Sequence, residues 1–190
     1  MRVYLAGPEV FLPDAVAIGE RKKEICQKYG LTGHYPLDAA IDLAGLAPQD
    51  AARLIFQTNI KAIDESDALI ANMAPLRGPG MDGGTAFEMG YAAALGIPIF
   101  AYTNDPRSYL GRSRSLGLVA GIDEGGRSRD AQGLEIEDFG LVDNLMPVCS
   151  ARELAKPIFW RASTEAGLLD LDTSLALFET AVQKAAYSFK

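Results

Sequence analysis

The sequence predicts one α/β domain over residues 1–190, built as a single doubly wound parallel sheet, Rossmann or flavodoxin-like, with helices on both faces. Three observations predict it. Short apolar runs at residues 2–6, 68–73 and 97–102 read as buried strands without the in-out alternation of a half-exposed sheet. These runs alternate with stretches of helical character, the pattern of strand, crossover helix and parallel strand. Finally, a glycine-rich turn, Gly78-Pro79-Gly80-Met81-Asp82-Gly83-Gly84, falls between a strand and a helix, where backbone approaches a ligand in open α/β sheets.

Taken in order, Arg2 to Ala6 forms the first strand, and Gly7-Pro8 ends it, leaving Glu9 to Pro13 as a loop over the sheet edge. A helix then opens at Pro13-Asp14 and runs to about Tyr29, where Gly30 stops it. A short second strand around His34-Tyr35 precedes a segment of polar and small residues. The next helix begins near Asp50, with Phe56, Ile60 and Ile63 spaced to share one apolar face and Asn59 at its margin. Glu65-Ser66-Asp67 closes this helix, and Ala68 to Met73 is the strand that feeds the glycine-rich turn. A helix from Thr85 to Leu95 and a strand from Ile97 to Tyr102 complete the repeat. Periodicity then fails from Thr103 to Ser150, which reads as irregular, mobile backbone. Ala151 to Lys190 supplies one or two helices, with Leu168, Leu169, Leu171, Leu175, Leu177 and Phe178 as core.

The glycine-rich turn organises the expected function. Asp82 lies in the loop and Glu88 in the first turn of the following helix, so two carboxylates converge on one cleft, an arrangement suited to chemistry at an acetal-like carbon. A second reading stays open beside it: Thr85-Ala86-Phe87-Glu88 also fits a capping box, with Thr85 capping the helix and Glu88 reaching back to the Thr85 amide.

Composition narrows the partners. The formal net charge of −7 argues against a nucleic-acid polymer, and no apolar run approaches the ~20 residues that a bilayer span needs. The opening residues enter a strand directly and lack a signal-peptide core, which leads to a cytoplasmic expectation. Cys26 and Cys149 have no metal or redox spacing and read as reduced packing residues. His34 is the only histidine, so acid-base work falls to carboxylates, tyrosines or the substrate. Neither a cofactor nor a metal is expected.

Tyr4, Asn59 ahead of Ser66-Asp67, Asp82 six residues before Glu88 in Gly-Thr-Ala-Phe-Glu-Met-Gly-Tyr, and Asp143-Asn144-Leu145-Met146 far downstream form a combination of motifs. On that combination, from Met1 to Met146, the chain resembles nucleoside 2-deoxyribosyltransferases. The resemblance implies that Glu88 is the nucleophile attacking C1′ of a 2′-deoxynucleoside, forming a covalent deoxyribosyl-enzyme from which a free nucleobase collects the sugar. It implies that Asp82 orients sugar hydroxyls or the base, and that Tyr4 hydrogen-bonds the nucleophile and crowds C2′ against ribose. Phe11 would stack on the base, or alternatively pack under its loop, while Gly83 and Gly84 would bring backbone against the substrate. Asn59 stands where several relatives carry an aspartate that handles the proton of the departing base, which an amide cannot do. Leaving-group protonation would then fall to Asp82, Asp64, water or the substrate itself. Asn144 matches a residue that relatives insert into a neighbouring subunit's site, implying a homo-oligomer built from dimers with shared sites; an ordinary turn asparagine is the alternative.

Two rival functions fit the same residues. One is an N-glycosidase of nucleoside 5′-monophosphates, since the helix start at Gly83-Gly84-Thr85 could hold a phosphate, although Asp82 and Glu88 would repel a dianion. The other is a nucleotide-binding module without turnover, which would leave the paired carboxylates without a purpose.

Overall fold

The structure is a computed structural model and describes residues 1–39, 41–156 and 171–189. Its main sheet has five parallel strands: β1 (Arg2–Ala6), β2 (Thr32–His34), β3 (Ala68–Asn72), β4 (Ile99–Tyr102) and β7 (Glu153–Ala155), in the spatial order β2-β1-β3-β4-β7. This is the doubly wound α/β arrangement expected. The chain leaves β1 towards β2 on one side and returns to β3 on the other, so the order reverses between β1 and β3, where ligands bind in such sheets.

Side-chain alternation along the strands sorts the core into two layers. On one face Val3, Leu5, Ile70 and Phe100 pack with Cys26 of α1 (Ala15–Lys28) and Phe178 of α6 (Leu171–Ser188). On the other, Tyr4, Leu69 and Ile99 pack with Ile63 of α2 (Pro48–Asp64) and with Met89 and Ala92 of α3 (Gly83–Ala94). Tyr4 therefore faces α3. The helix stop at Gly30 is found, with φ +74, a left-handed conformation that glycine adopts without steric cost.

Several expectations change in detail. Of the α2 stripe only Ile63 is buried, while Phe56 is half exposed and stacks obliquely on Phe87. The stretch 103–150, expected to be irregular and mobile, carries short elements: α4 (Tyr109–Ser115) capped by Ser108, the hairpin of β5 (Gly121–Ile122) and β6 (Ser128–Arg129), and α5 (Leu145–Ser150). Beyond it, Glu153 to Ala155 forms the edge strand β7 where a helix was expected. Its extended form is set by pairing with β4, Phe100 opposite Glu153, rather than by its own three-residue pattern. Leu175 and Phe178 are buried and Leu177 partly so, whereas Leu168 and Leu169 fall outside the described residues. Cys26 is buried and Cys149 exposed, both as free thiols. Among the described residues no helix is long and apolar enough to cross a membrane.

Candidate active site

A cavity of about 400 Å³ opens at the switch point between β1 and β3. Four segments wall it. Gly7 comes directly after the end of β1, and Val10 and Phe11 from the single 3₁₀ turn Pro8–Phe11 that follows it. Pro36, Leu37, Ile41 and Leu43 come from the segment after β2, and Ile55 with Asn59, one helical turn apart, from α2. The start of α3 supplies Asp82, Gly84, Thr85 and Glu88. Its lining therefore combines a mostly apolar set of side chains with two carboxylates, Asp82 and Glu88.

Glu88 is tied to β1. The Tyr4 hydroxyl donates to Glu88 Oε1 at 2.6 Å, reaching from the face of the sheet on which α3 packs. Burial pushes the Glu88 carboxyl up to about 7; the bond from Tyr4 opposes this and the negative charge of Asp82 adds to it. Burial and then the adjoining Glu88 carboxylate push the Tyr4 phenol up in turn, so Tyr4 stays a donor at any working pH.

Asp82 caps α3. Its Oδ2 accepts from the Thr85 amide at 2.8 Å and from Thr85 Oγ1 at 3.0 Å. The capping-box reading of Thr85 and Glu88 is thereby corrected: the helix begins two residues earlier than expected, and the Thr85 amide is taken by Asp82. Glu88 is left to Tyr4 and the cavity. A Cβ at Gly84 would stand only 3.0 Å from Asp82 Oδ2, so the glycine lets the capping carboxylate fold over the helix start. Gly83 is exposed at the same helix start, outside the cavity lining.

The other sequence-selected residues divide. Phe11 and Asn59 line the cavity, and the core-packing alternative for Phe11 is not what is seen: its ring is half exposed, with the Arg77 guanidinium 5.3 Å from the ring centroid. Arg77 is itself in the left-handed region, φ +57. Asp64 lies outside the lining and accepts from the Tyr91 hydroxyl at 2.7 Å. Asn144 is not brought to the cavity of its own chain; it caps α5 by accepting from the Met146 amide and donates to Glu137 Oε1 at 2.6 Å. Among the described residues no cluster of three His, Cys, Asp or Glu side chains could hold a metal ion.

The family profile described as nucleoside 2-deoxyribosyltransferase matches residues 3–146. The chain belongs to this family. It is similar to an uncharacterized protein of Schizosaccharomyces pombe, 36% identical over 155 residues that cover 76% of this chain and 74% of that protein. Among solved structures it is similar to a 2-desoxiribosyltransferase from Leishmania mexicana, at 28% identity and a TM-score of 0.61, covering 94% of this chain and 97% of that one. A conserved protein from Enterococcus faecalis shares the fold, at 23% identity and a TM-score of 0.50, over 83% of this chain and 91% of that one.

Around this nucleoside 2-deoxyribosyltransferase-family cleft stand residues that sequence reasoning passed over. Arg112, buried in α4, donates to the carbonyls of Pro79, Arg107 and Val142 and pairs with Asp143 at 3.2 Å. Asp143 also accepts from the Met81 amide at 2.8 Å. Together they pin the glycine-rich loop just ahead of Asp82. Glu9, 1% exposed, carries three donors on one oxygen beneath the turn that bears Phe11. In sequence Arg112 stands among Arg-Ser-Arg in a stretch without periodicity, and Glu9 in a loop, so neither shows the burial that gives it a role.

Proposed function

We propose that this protein transfers the 2-deoxyribosyl group between nucleobases, through a covalent deoxyribosyl-glutamate on Glu88. The observation that carries the reading is the Tyr4–Glu88 pair at a cavity lined mostly by apolar side chains together with Asp82 and Glu88. In the first step a Glu88 carboxylate oxygen attacks C1′, the C1′–N bond breaks, and its electron pair leaves with the base, which takes up a proton. In the second step a ring nitrogen of an incoming base attacks C1′, the C1′–O bond to Glu88 breaks, and the acceptor loses its N–H proton. Two inversions give net retention, as in retaining glycosidases with a base in the place of water. Water taking that place gives hydrolysis as the side reaction.

Each neighbour has a part in this reading. Tyr4 holds the Glu88 carboxylate in position, and its ring crowds C2′ of the sugar. Asp82, its Oδ2 engaged by Thr85, addresses sugar hydroxyls or the base with the rest of its carboxylate. Phe11 stacks on the base and Asn59 hydrogen-bonds its edge, without supplying a proton. Gly84, at the cavity, brings the start of α3 towards the sugar. Asn144, held away from its own chain's cavity, is delivered to that of a partner in a homodimer with shared sites. No step calls for a cofactor, and the site of action is cytoplasmic.

An uncharged nucleoside is favoured over a nucleoside 5′-monophosphate because the described lining residues include no lysine or arginine, while Asp82 and Glu88 set a negative field. The test is incubation with each natural 2′-deoxynucleoside, with and without a second free base, followed by chromatography. A new nucleoside supports the transferase; deoxyribose alone indicates a hydrolase. Base release from 5′-monophosphates but not from nucleosides would move the assignment to the N-glycosidase reading.

A further inference from the structure

The single turn Pro8–Phe11 after β1 places two of the cavity's lining residues, Val10 and Phe11, and is held by one buried side chain. Glu9 Oε1 accepts from Lys22 Nζ of α1 at 2.5 Å, from Asn72 Nδ2 at the end of β3 at 2.8 Å, and from the Tyr102 hydroxyl at the end of β4 at 2.8 Å. Three separate elements thus meet on one oxygen. The Lys22 ammonium is enclosed in turn by rings, 5.2 Å from the centroid of Phe178, 5.7 Å from Tyr102 and 6.0 Å from Tyr35.

The second oxygen, Glu9 Oε2, is buried with no hydrogen-bond partner among the described residues and lies against Gly7. A side chain at Gly7 would collide with it and would stand 2.9 Å from Asn72 Cβ, so glycine and acid are coupled in this turn. Gly7 itself lines the cavity.

Stability is a poor reason for such a network. A buried ion pair with one unpartnered carboxylate oxygen gains little over apolar residues of the same volume, because desolvating both charges offsets their attraction. What it does supply is a fixed position, since a carboxylate fastened to three elements allows the turn a single height above the sheet. The cavity's two carboxylates are held separately, Glu88 by Tyr4 and Asp82 by Thr85, so the Glu9 network bears on Val10 and Phe11 instead.

We infer that Glu9 is a positioning residue for substrate binding: anchored by Lys22, Asn72 and Tyr102, it sets the turn that carries Gly7, Val10 and Phe11, and so the wall against which the base lies. The inference rests on the nucleoside reading above. It assigns to this buried acid an effect on KM rather than on the chemical step, because the wall contacts the base equally before and during transfer.

The experiment compares wild type, Glu9→Gln and Tyr102→Phe, using the natural 2′-deoxynucleoside on which wild type is most active. Tyr102→Phe removes one donor from Glu9 without touching the cavity, and remains informative if Glu9→Gln does not fold. The expected result is a KM raised about 10-fold or more in Glu9→Gln and about 3-fold in Tyr102→Phe, with kcat within about 2-fold and the pH profile unchanged. Hydrogen exchange at the amides of residues 8–12 should quicken in both, a readout that needs no turnover. A lowered melting temperature with KM and exchange unchanged would reduce Glu9 to a folding residue and overturn the inference. An inactive wild type would instead sink the nucleoside reading, and unchanged exchange at residues 8–12 would then still count against the anchored turn.

Discussion

Tyr4 and Glu88, separated by 84 positions in the chain, meet through a 2.6 Å hydrogen bond from the phenol to Glu88 Oε1. The bond joins β1 to α3 inside the core layer between them, which fixes the carboxylate at the cavity and keeps it partly desolvated. A desolvated, singly bonded carboxylate is the more reactive for having few partners, and it titrates high for the same reason.

With the Glu88 carboxyl raised to about 7 and required as a carboxylate, kcat/KM should climb with pH through about 7 and level off above it. Stability runs the opposite way. A folded-state pKa above the ordinary 4.5 means the folded protein holds this proton longer than the unfolded chain, so the benefit is full below 4.5 and is lost as pH rises through about 7. Glu88→Gln should therefore abolish exchange yet stabilise the protein by about 1–3 kcal/mol at slightly alkaline pH, and by little at acid pH. Denaturant midpoints at the two pH values measure this; equal effects at both would contradict the raised carboxyl.

Replacing Tyr4 with Phe deletes the one donor to the Glu88 carboxylate among the described residues while keeping the ring. Transfer should slow by on the order of 10²-fold, the usual loss for one donor to a reacting oxygen. Because the Tyr4 bond pulls the Glu88 carboxyl down against burial, the rising limb of the pH profile should also move to higher pH. A kinetically silent Tyr4→Phe with an unmoved limb would leave Tyr4 as a strand residue only.

Asp82 does two things that substitution separates. Asp82→Ala removes the cap of α3 and should cost about 0.5–2 kcal/mol of stability. Asp82→Asn keeps an acceptor for the Thr85 amide but removes the charge that adds to the rise of Glu88, so its melting temperature should stay near wild type while the rising limb moves to lower pH. A limb that stays in place in Asp82→Asn would show that the two carboxylates do not sense each other.

The parallel strands were legible because a strand buried on both faces is an apolar run, and the glycine-rich turn because glycines between strand and helix are uncommon without a ligand. What stayed hidden depends on partners distant in sequence. Strand β7 takes its form from β4, and its three residues, one of them Glu153, carry no pattern of their own. The helix start was misplaced because Asp82 and Thr85 both fit a cap, and only the fold decides which amide each reaches. Glu9 bonds residues 13, 63 and 93 positions away, and Arg112 reaches Pro79 across 33, distances over which sequence spacing carries no signal.

The proposed sharing of the site through Asn144 has its own test. If Asn144 is delivered to a partner's cavity, mixing inactive Glu88→Ala chains with crippled Asn144→Ala chains under subunit exchange gives hybrids with one intact site of two. Random pairing makes half the dimers hybrid, so activity should recover to about a quarter of wild type. Verified exchange without recovery, or full activity in a monomer, would place Asn144 in its own chain's service as the cap of α5 and the partner of Glu137.

The covalent role of Glu88 is tested most directly by trapping with a 2′-deoxy-2′-fluoro-arabinonucleoside, whose fluorine slows release of the sugar from the enzyme more than its capture. Mass spectrometry of the digested protein should find one added fluoro-sugar on the peptide containing Glu88, absent from Glu88→Gln and discharged as new nucleoside when a free base is supplied. Added mass on any other peptide, or turnover of ordinary deoxynucleosides by an enzyme that never acquires the adduct, would contradict it.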